Sequence, residues 1–276
     1  MTFTARWCEK PATVGPYMAM SGQFTHHHPV MRHRNLSLLL ALILPLTALC
    51  QPAKLARIVE LSTELVSAKN ERGMHALLDS LQHAPDIEER ILRDLLLARW
   101  YRHTDRQLDA HHLLDTIRID TTTQHPYLSW LRHYQHAKTL KSMLLLTLAR
   151  TAAVQAEHFA ERCGMADEVF EMKLLACEID LDDGLYGEAA AELGTLYEQA
   201  KAQGNIGNIC RTLIALGNVH YYQQNDSAAT RFFMQAMRAA QLSRDNGLIL
   251  SWVLTLGAAM AFTEAPQAAI ALYRSV

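Results

Sequence analysis

The sequence predicts an all-α, right-handed solenoid of tandem helical hairpins that repeat about every 40 residues. Three observations carry this. Small and aromatic residues recur at that spacing in the C-terminal half: Gly217 returns as Gly257, Leu216 as Leu256, Ala189 as Ala229 and Ala269, and Leu193 as Phe233 and Tyr273. Turn residues keep the same spacing, Gly164 with Gly204 and Asn205 with Asp245. Half of the 276 residues are hydrophobic, yet only 12 Gly and 8 Pro punctuate them, which is the composition of long helices joined by short turns. Self-similarity at a fixed period marks stacked units, none of which buries its apolar face alone.

Residues 1–30 show no period and precede Met31. They are expected to be an upstream leader from a start site placed too early, with His26, His27 and His28 no metal tract. Residues 31–50 read as a signal peptide. Arg32 and Arg34 precede an apolar run of about 14 residues interrupted by Pro45, shorter than the roughly 20 that a membrane-spanning helix needs. Ala48 and Cys50 place small residues third and first before a cut preceding Gln51. The rival is a lipoprotein signal with Cys50 acylated; against it stands Leu49, where such a signal carries Gly, Ala or Ser. Residues 1–50 hold Arg6, Lys10, Arg32 and Arg34 against Glu9, so their removal moves the formal charge from −2 to −5. A mildly acidic chain argues against a nucleic-acid partner. Cys163, Cys177 and Cys210 then remain, at spacings that fit no zinc or redox signature, and Cys177 stands at a close-packing position expected to hold a buried free thiol.

Residues 51–85 are expected to form a first hairpin, broken at Arg72-Gly73, that caps the array; the repeat domain covers 86–276. In the unit at 92–118, Ala98, Tyr101, Ala110, Leu114 and Ile117 carry the internal spacing. Over 127–162, Ala137 and Ala149 keep the period, but the hairpin turn, placed near Thr139, has no Gly or Pro. Residues 169–205 carry Cys177, Ala189, Leu193 and Leu196. Within them Asp180-Leu181-Asp182-Asp183-Gly184, followed by Glu188, reads as the turn between helices, because Gly and Glu fall too early for a calcium loop. In 211–241, Leu213, Leu216-Gly217 and Tyr221 lie on a first helix and Ala229, Phe233 and Ala236 on a second, with caps from Asn225-Asp226-Ser227. Gly217, Ala229 and Ala236 let the two helices approach, and Phe233 is expected to fill the gap between successive hairpins. A last unit runs over 248–276 through Leu256, Gly257, Pro266, Ala269 and Tyr273. The pattern stops at Val276 without the polar-faced cap that ends a solenoid, so the array is expected to continue or to dock its open end on a partner.

The stretch 211–241 resembles a tetratricopeptide repeat (TPR), and the likeness covers most of 86–276, strongest over 168–276. A period of 40 in place of the commoner one of about 34 implies longer helices. In this the chain is similar to the exported TPR regions of bacterial signalling and regulatory proteins, which often precede a membrane span and an output domain. The resemblance implies that a partner lies against inward positions of the first helices: Arg99, Arg102 and His103, then Lys138, then Glu178, then Asn218, Tyr221 and Tyr222. Such a groove, basic at one end and aromatic at the other, suits an extended or helical peptide. The competing reading of Tyr221 and Tyr222 is that they only cover the next hairpin. Asn218 stands where chaperone-binding relatives hold a peptide carboxylate, but Ile214, Ser251 and Thr255 replace the cations those relatives need, which argues against capture of a C-terminal carboxylate.

For catalysis, no nucleophile elbow, HExxH, phosphate-cradling loop or dinucleotide fingerprint is present, and no enzyme is expected. Asp109, His111, His112 and Asp115 are expected on a solvated outer helix face, and His133 and His136, near Trp130 and Tyr134, in packing or at the surface. No metal and no cofactor is expected. The reading is therefore a non-catalytic scaffold or sensor module that binds a protein or peptide, exported in a Gram-negative bacterium and facing the periplasm. Membrane contact would come only through a span beyond Val276 or a lipidated Cys50. The alternative is a SusD-like nutrient-binding outer-membrane lipoprotein, which needs an acylated Cys50 and long loop insertions, where the loops legible here are short.

Overall fold

The computed structural model describes residues 51–120 and 125–243. Among them run ten α-helices and no strand, paired into five hairpins. These are α1 (Gln51–Ser67) with α2 (Glu71–Gln82), α3 (Ile87–His103) with α4 (Gln107–Thr116), α5 (Pro126–Ser142) with α6 (Leu146–Arg162), α7 (Ala166–Asp182) with α8 (Tyr186–Gln203), and α9 (Ile206–Tyr222) with α10 (Asp226–Ser243). The last three hairpins open at residues 126, 166 and 206, and their second helices at 146, 186 and 226. The 40-residue beat of the sequence is thus the step of an α-solenoid. The expected leader (1–30) and signal peptide (31–50), with Cys50, and the hairpin expected over 248–276, with Ser251 and Thr255, lie outside the described residues. Among the described residues no helix is long and apolar enough to cross a membrane.

Small residues mark where helices come closest. Ala98, Ala137 and Cys177 occupy one register position on the first helices, followed by Gly217, and none of the first three is more than 1% exposed. On the second helices Ala110, Ala149, Ala189 and Ala229 are all 0% exposed. Larger apolar side chains fill between them, with Leu114, Leu193 and Phe233 at the same position of their helices. Phe233 packs within its own hairpin, its ring against Gly217, Leu213 and Ala229; the unit it was expected to bridge to is outside the described residues. Cys177 and Cys210 are buried free thiols and Cys163 is half-buried. Burial pushes the Cys210 thiol up to about 11 and raises Cys177 too, so both stay protonated.

Two turns fall elsewhere than expected. Thr139 is fully buried inside α5, its hydroxyl donating to the Gln135 carbonyl at 2.8 Å, and the third hairpin turns at Met143-Leu144-Leu145. The chain can turn there without Gly because Leu144 itself takes the left-handed conformation, at φ +58°. The first hairpin breaks at Lys69-Asn70, not at Arg72-Gly73. Asn70 caps α2 by accepting from the Gly73 amide at 2.9 Å, which puts Arg72 and Gly73 in its first turn. The acidic turn of the fourth hairpin lies as expected at Asp183-Gly184, with Gly184 at φ +82°. Asn225 caps α10 by accepting from the Ala228 amide at 3.2 Å.

Candidate functional site, a groove along the first helices

The first helix of each hairpin carries, beside its packing face, a row of polar and aromatic residues. Lys138, Glu178 and Asn218 repeat at one position, and Glu171 and Arg211 repeat seven residues before the last two. Stacking sets these rows side by side. A cavity of about 400 Å³ is lined by all five first helices, from Val59 and Thr63 of α1 to Asn208 and Arg211 of α9. A second, of about 350 Å³, lies along α5, α7 and α9 and shares Arg211 with the first.

Arg99 and Arg102 form the α3 wall of the larger cavity. Arg99 donates to the hydroxyls of Ser62 at 3.2 Å and Thr63 at 2.8 Å, and Arg102 donates to the Gln135 side chain at 3.1 Å. All three partners are neutral, and among the described residues no carboxylate lies within ion-pair distance of either guanidinium. Burial lowers both pKa values, yet an arginine starts so high that it keeps its charge. Two donors are left over: Arg102 Nε on α3 and Trp130 Nε1 on α5 are buried and have no hydrogen-bond partner. Buried donors without partners cost about 1–3 kcal/mol each.

The other charged residues of the lining are Lys138, Asp167, Glu168, Glu171 and Arg211, of which Lys138, Glu171 and Arg211 form one network. Glu171 accepts from Arg211, lies 3.7 Å from Lys138 Nζ, and sits 3.5 Å from the Tyr134 hydroxyl. Lys138 also stands over the Tyr134 ring at 4.8 Å. In the smaller cavity Lys141 bridges Glu178 at 3.4 Å and Asp182 at 3.2 Å. Burial opposes its charge, but the two carboxylates outweigh burial and raise its pKa. Asn218 lines this cavity near Lys141 and Arg211, both of which are already engaged by carboxylates.

The structure therefore brings Arg99, Arg102 and Lys138 into one cavity and Glu178, Asn218 and Tyr222 into the other. Tyr222 is 50% exposed and stacks with Tyr186 at a ring distance of 6.4 Å. Two expected residues stand apart. Tyr221 packs on the apolar cluster of Leu213, Ile214 and Phe233 in its own hairpin; the next hairpin, which it was expected to cover in the competing reading, lies outside the described residues. His103, at the exposed end of α3, rests 5.9 Å from the Trp100 ring and lines neither cavity. Trp130, Tyr134, Lys141, Glu171 and Arg211 were not singled out from the sequence. Stepping one or two helical turns along α5, α7 and α9 from Lys138, Glu178 and Asn218 would have found most of them.

No protein-family model matches the chain, and no curated protein matches it in sequence. Solved structures do resemble it. The apo form of RapI aligns with a TM-score of 0.58 at 10% identity, over 88% of this chain and 69% of that one. A Rap protein complexed with competence and sporulation factor gives 0.46 at 10% identity, over 81% of this chain and 75% of that one. NprR in complex with its cognate peptide NprX gives 0.36 at 14% identity, over 81% and 76%. At such identities the likeness is one of fold, a TPR-type helical repeat.

Proposed function

We propose that the chain is a non-catalytic scaffold that binds an extended or helical peptide along its first helices, with an acidic group of the peptide seated on Arg99 and Arg102. The carrying observation is the pair of half-buried guanidinium groups that have only neutral partners. The paired charges around Glu171 and Lys141 offer polar rungs farther along, and Tyr186 with Tyr222 an aromatic end. The test is fluorescence anisotropy with a panel of labelled acidic, neutral and basic peptides. Acidic members should bind, and Arg102→Ala should weaken them by about 10- to 100-fold, the loss of a charge-assisted hydrogen bond worth about 1.5–3 kcal/mol. Binding that ignores both Arg99→Ala and Arg102→Ala would sink the reading.

The finer reading is an exported, periplasm-facing module of a signalling regulator, and it is supported by the form of residues 32–50. Mass spectrometry of the mature N-terminus tests it. A start at Gln51 supports export and cleavage, whereas an acylated Cys50 would favour the nutrient-binding lipoprotein.

A further inference from the structure

Away from the groove, the packing of α4 on α5 gathers three metal-ligating side chains: His111 and Asp115, expected on a solvated face, and His136, expected in packing or at the surface. His111 and Asp115 lie one turn apart on α4, and His136 reaches them from α5, 25 residues on. His111 Nδ1 is 3.1 Å from His136 Nε2, the two rings stacked 5.2 Å apart at 26°. His136 Nε2 lies 3.5 Å from one Asp115 oxygen, and His111 Nε2 lies 3.6 Å from the other. One donor atom from each residue can be chosen so that all three fall within 4.8 Å of one another. His112 and Asp109, by contrast, are exposed as expected.

We propose that His111, Asp115 and His136 bind a single divalent transition-metal ion, zinc foremost, that ties α4 to α5. Zinc holds nitrogen and oxygen ligands at about 2.0–2.1 Å, and tetrahedral angles then space those ligands about 3.3–3.4 Å apart. With His111 Nδ1, His136 Nε2 and one Asp115 oxygen as the ligand atoms, two of the three edges, 3.1 Å and 3.5 Å, already bracket that spacing. Closing the widest edge needs only a rotation of the Asp115 side chain, which is 52% exposed. Asp115 stands in the last turn of α4, where the helix dipole favours a cation.

The surroundings select the class of ion. Arg118 donates to the Asp115 carbonyl at 3.0 Å and Arg132 to the Leu114 carbonyl at 3.2 Å, so two fixed positive charges stand close by. They penalise an ion held by charge alone, and two imidazoles with one carboxylate are a poor set for calcium or magnesium, which want oxygen cages. An ion that gains bond strength from imidazole nitrogen remains. Three protein ligands leave the fourth position of a tetrahedral ion to water or to a further donor. Because His111 and His136 belong to successive hairpins, the ion would act as a staple between two units of the solenoid, independently of any peptide in the groove.

The experiment is a cobalt(II) titration of the chelator-stripped full chain, followed by its visible ligand-field absorption and then by zinc displacement. One equivalent should give the intense bands of a tetrahedral site and be displaced by zinc, and zinc should raise the melting temperature. His136→Ala should abolish the bands, and His111→Ala and Asp115→Asn should weaken binding by at least about tenfold. His111→Ala keeps the test decisive if His136→Ala does not fold. A variant with His26, His27 and His28 changed to Ala should titrate like the parent. The proposal is overturned if no bands form, if they survive both His111→Ala and His136→Ala, or if they vanish with the His26–His28 tract.

Discussion

At the scale of single residues, two glycines inside helices show how one residue type serves opposite ends. A Cβ on Gly217 would stand 2.3 Å from the Phe233 ring, which is 1% exposed and wedged among Leu213, Ala229 and Ala236. A Cβ on Gly194, in the middle of α8, would meet nothing within 4 Å. Glycine in a helix interior costs about 1 kcal/mol relative to alanine, so Gly194→Ala should raise the melting temperature by about 2–4 °C. Gly217→Ala gains the same propensity, but forcing a methyl into a packed core costs about 1–3 kcal/mol. With the ring unable to retreat, the loss wins and the melting temperature falls. Thermal unfolding followed by circular dichroism decides it; a rise in both variants would mean that close approach is not the reason for Gly217. The period made Gly217 legible in the sequence, through Gly257. Gly194 has no periodic counterpart, and only the structure shows it to be a place where side-chain space is spare.

Among elements, the turns carry the same lesson in reverse. Lys69, Asp105, Leu144, Gly184 and Gln224 each end the first helix of a hairpin in the left-handed conformation, and only one of them is glycine. A residue with a Cβ is strained there by about 1–2 kcal/mol. Leu144 is 70% exposed, so little packing offsets the strain. Leu144→Gly should therefore stabilise the chain by up to about 1 kcal/mol after the extra freedom glycine has when unfolded. Gly184→Ala should destabilise it by about 1–2 kcal/mol, and differential scanning calorimetry would show the two shifts with opposite signs. The same strain explains why the third turn was misplaced from the sequence. Turn chemistry searches for Gly, Pro or Asn, and the period alone, carried back 40 residues from Gly184, lands on Leu144. The groove was partly legible because its residues obey that period, as Lys138, Glu178 and Asn218 do. The cluster of His111, Asp115 and His136 was not, because it joins a second helix to the next first helix, at a spacing that no repeat copies.

For the whole molecule, each hairpin buries its apolar face on its neighbours, so stability should pass along the array and not be shared by all of it at once. The buried side chains fall into separate groups. One runs from Leu55 on α1 to Ile179 on α7, a second joins α7, α8 and α9, and a third holds Leu213, Ile214, Ala229, Phe233 and Ala236 on α9 and α10. Leu95 on α3 is 0% exposed and belongs to the first group. Leu95→Ala should cost about 2–5 kcal/mol through lost contacts and the cavity left behind. In a domain with one cooperative core that loss would reach every strongly protected amide. In a relay of neighbours it should be felt where the first group lies and fade beyond it. Hydrogen exchange read by mass spectrometry should show amides of α2 to α6 exchanging faster in Leu95→Ala, while those of α9 and α10 keep their protection. Equal loss at both ends would mean that the solenoid unfolds as a single unit. If the relay holds, a peptide lying across α3, α5, α7 and α9 has a consequence that no core contact supplies: it couples Arg99 and Arg102 to Asn218, and its binding should slow exchange at both ends together, restoring in Leu95→Ala part of the protection the mutation removed.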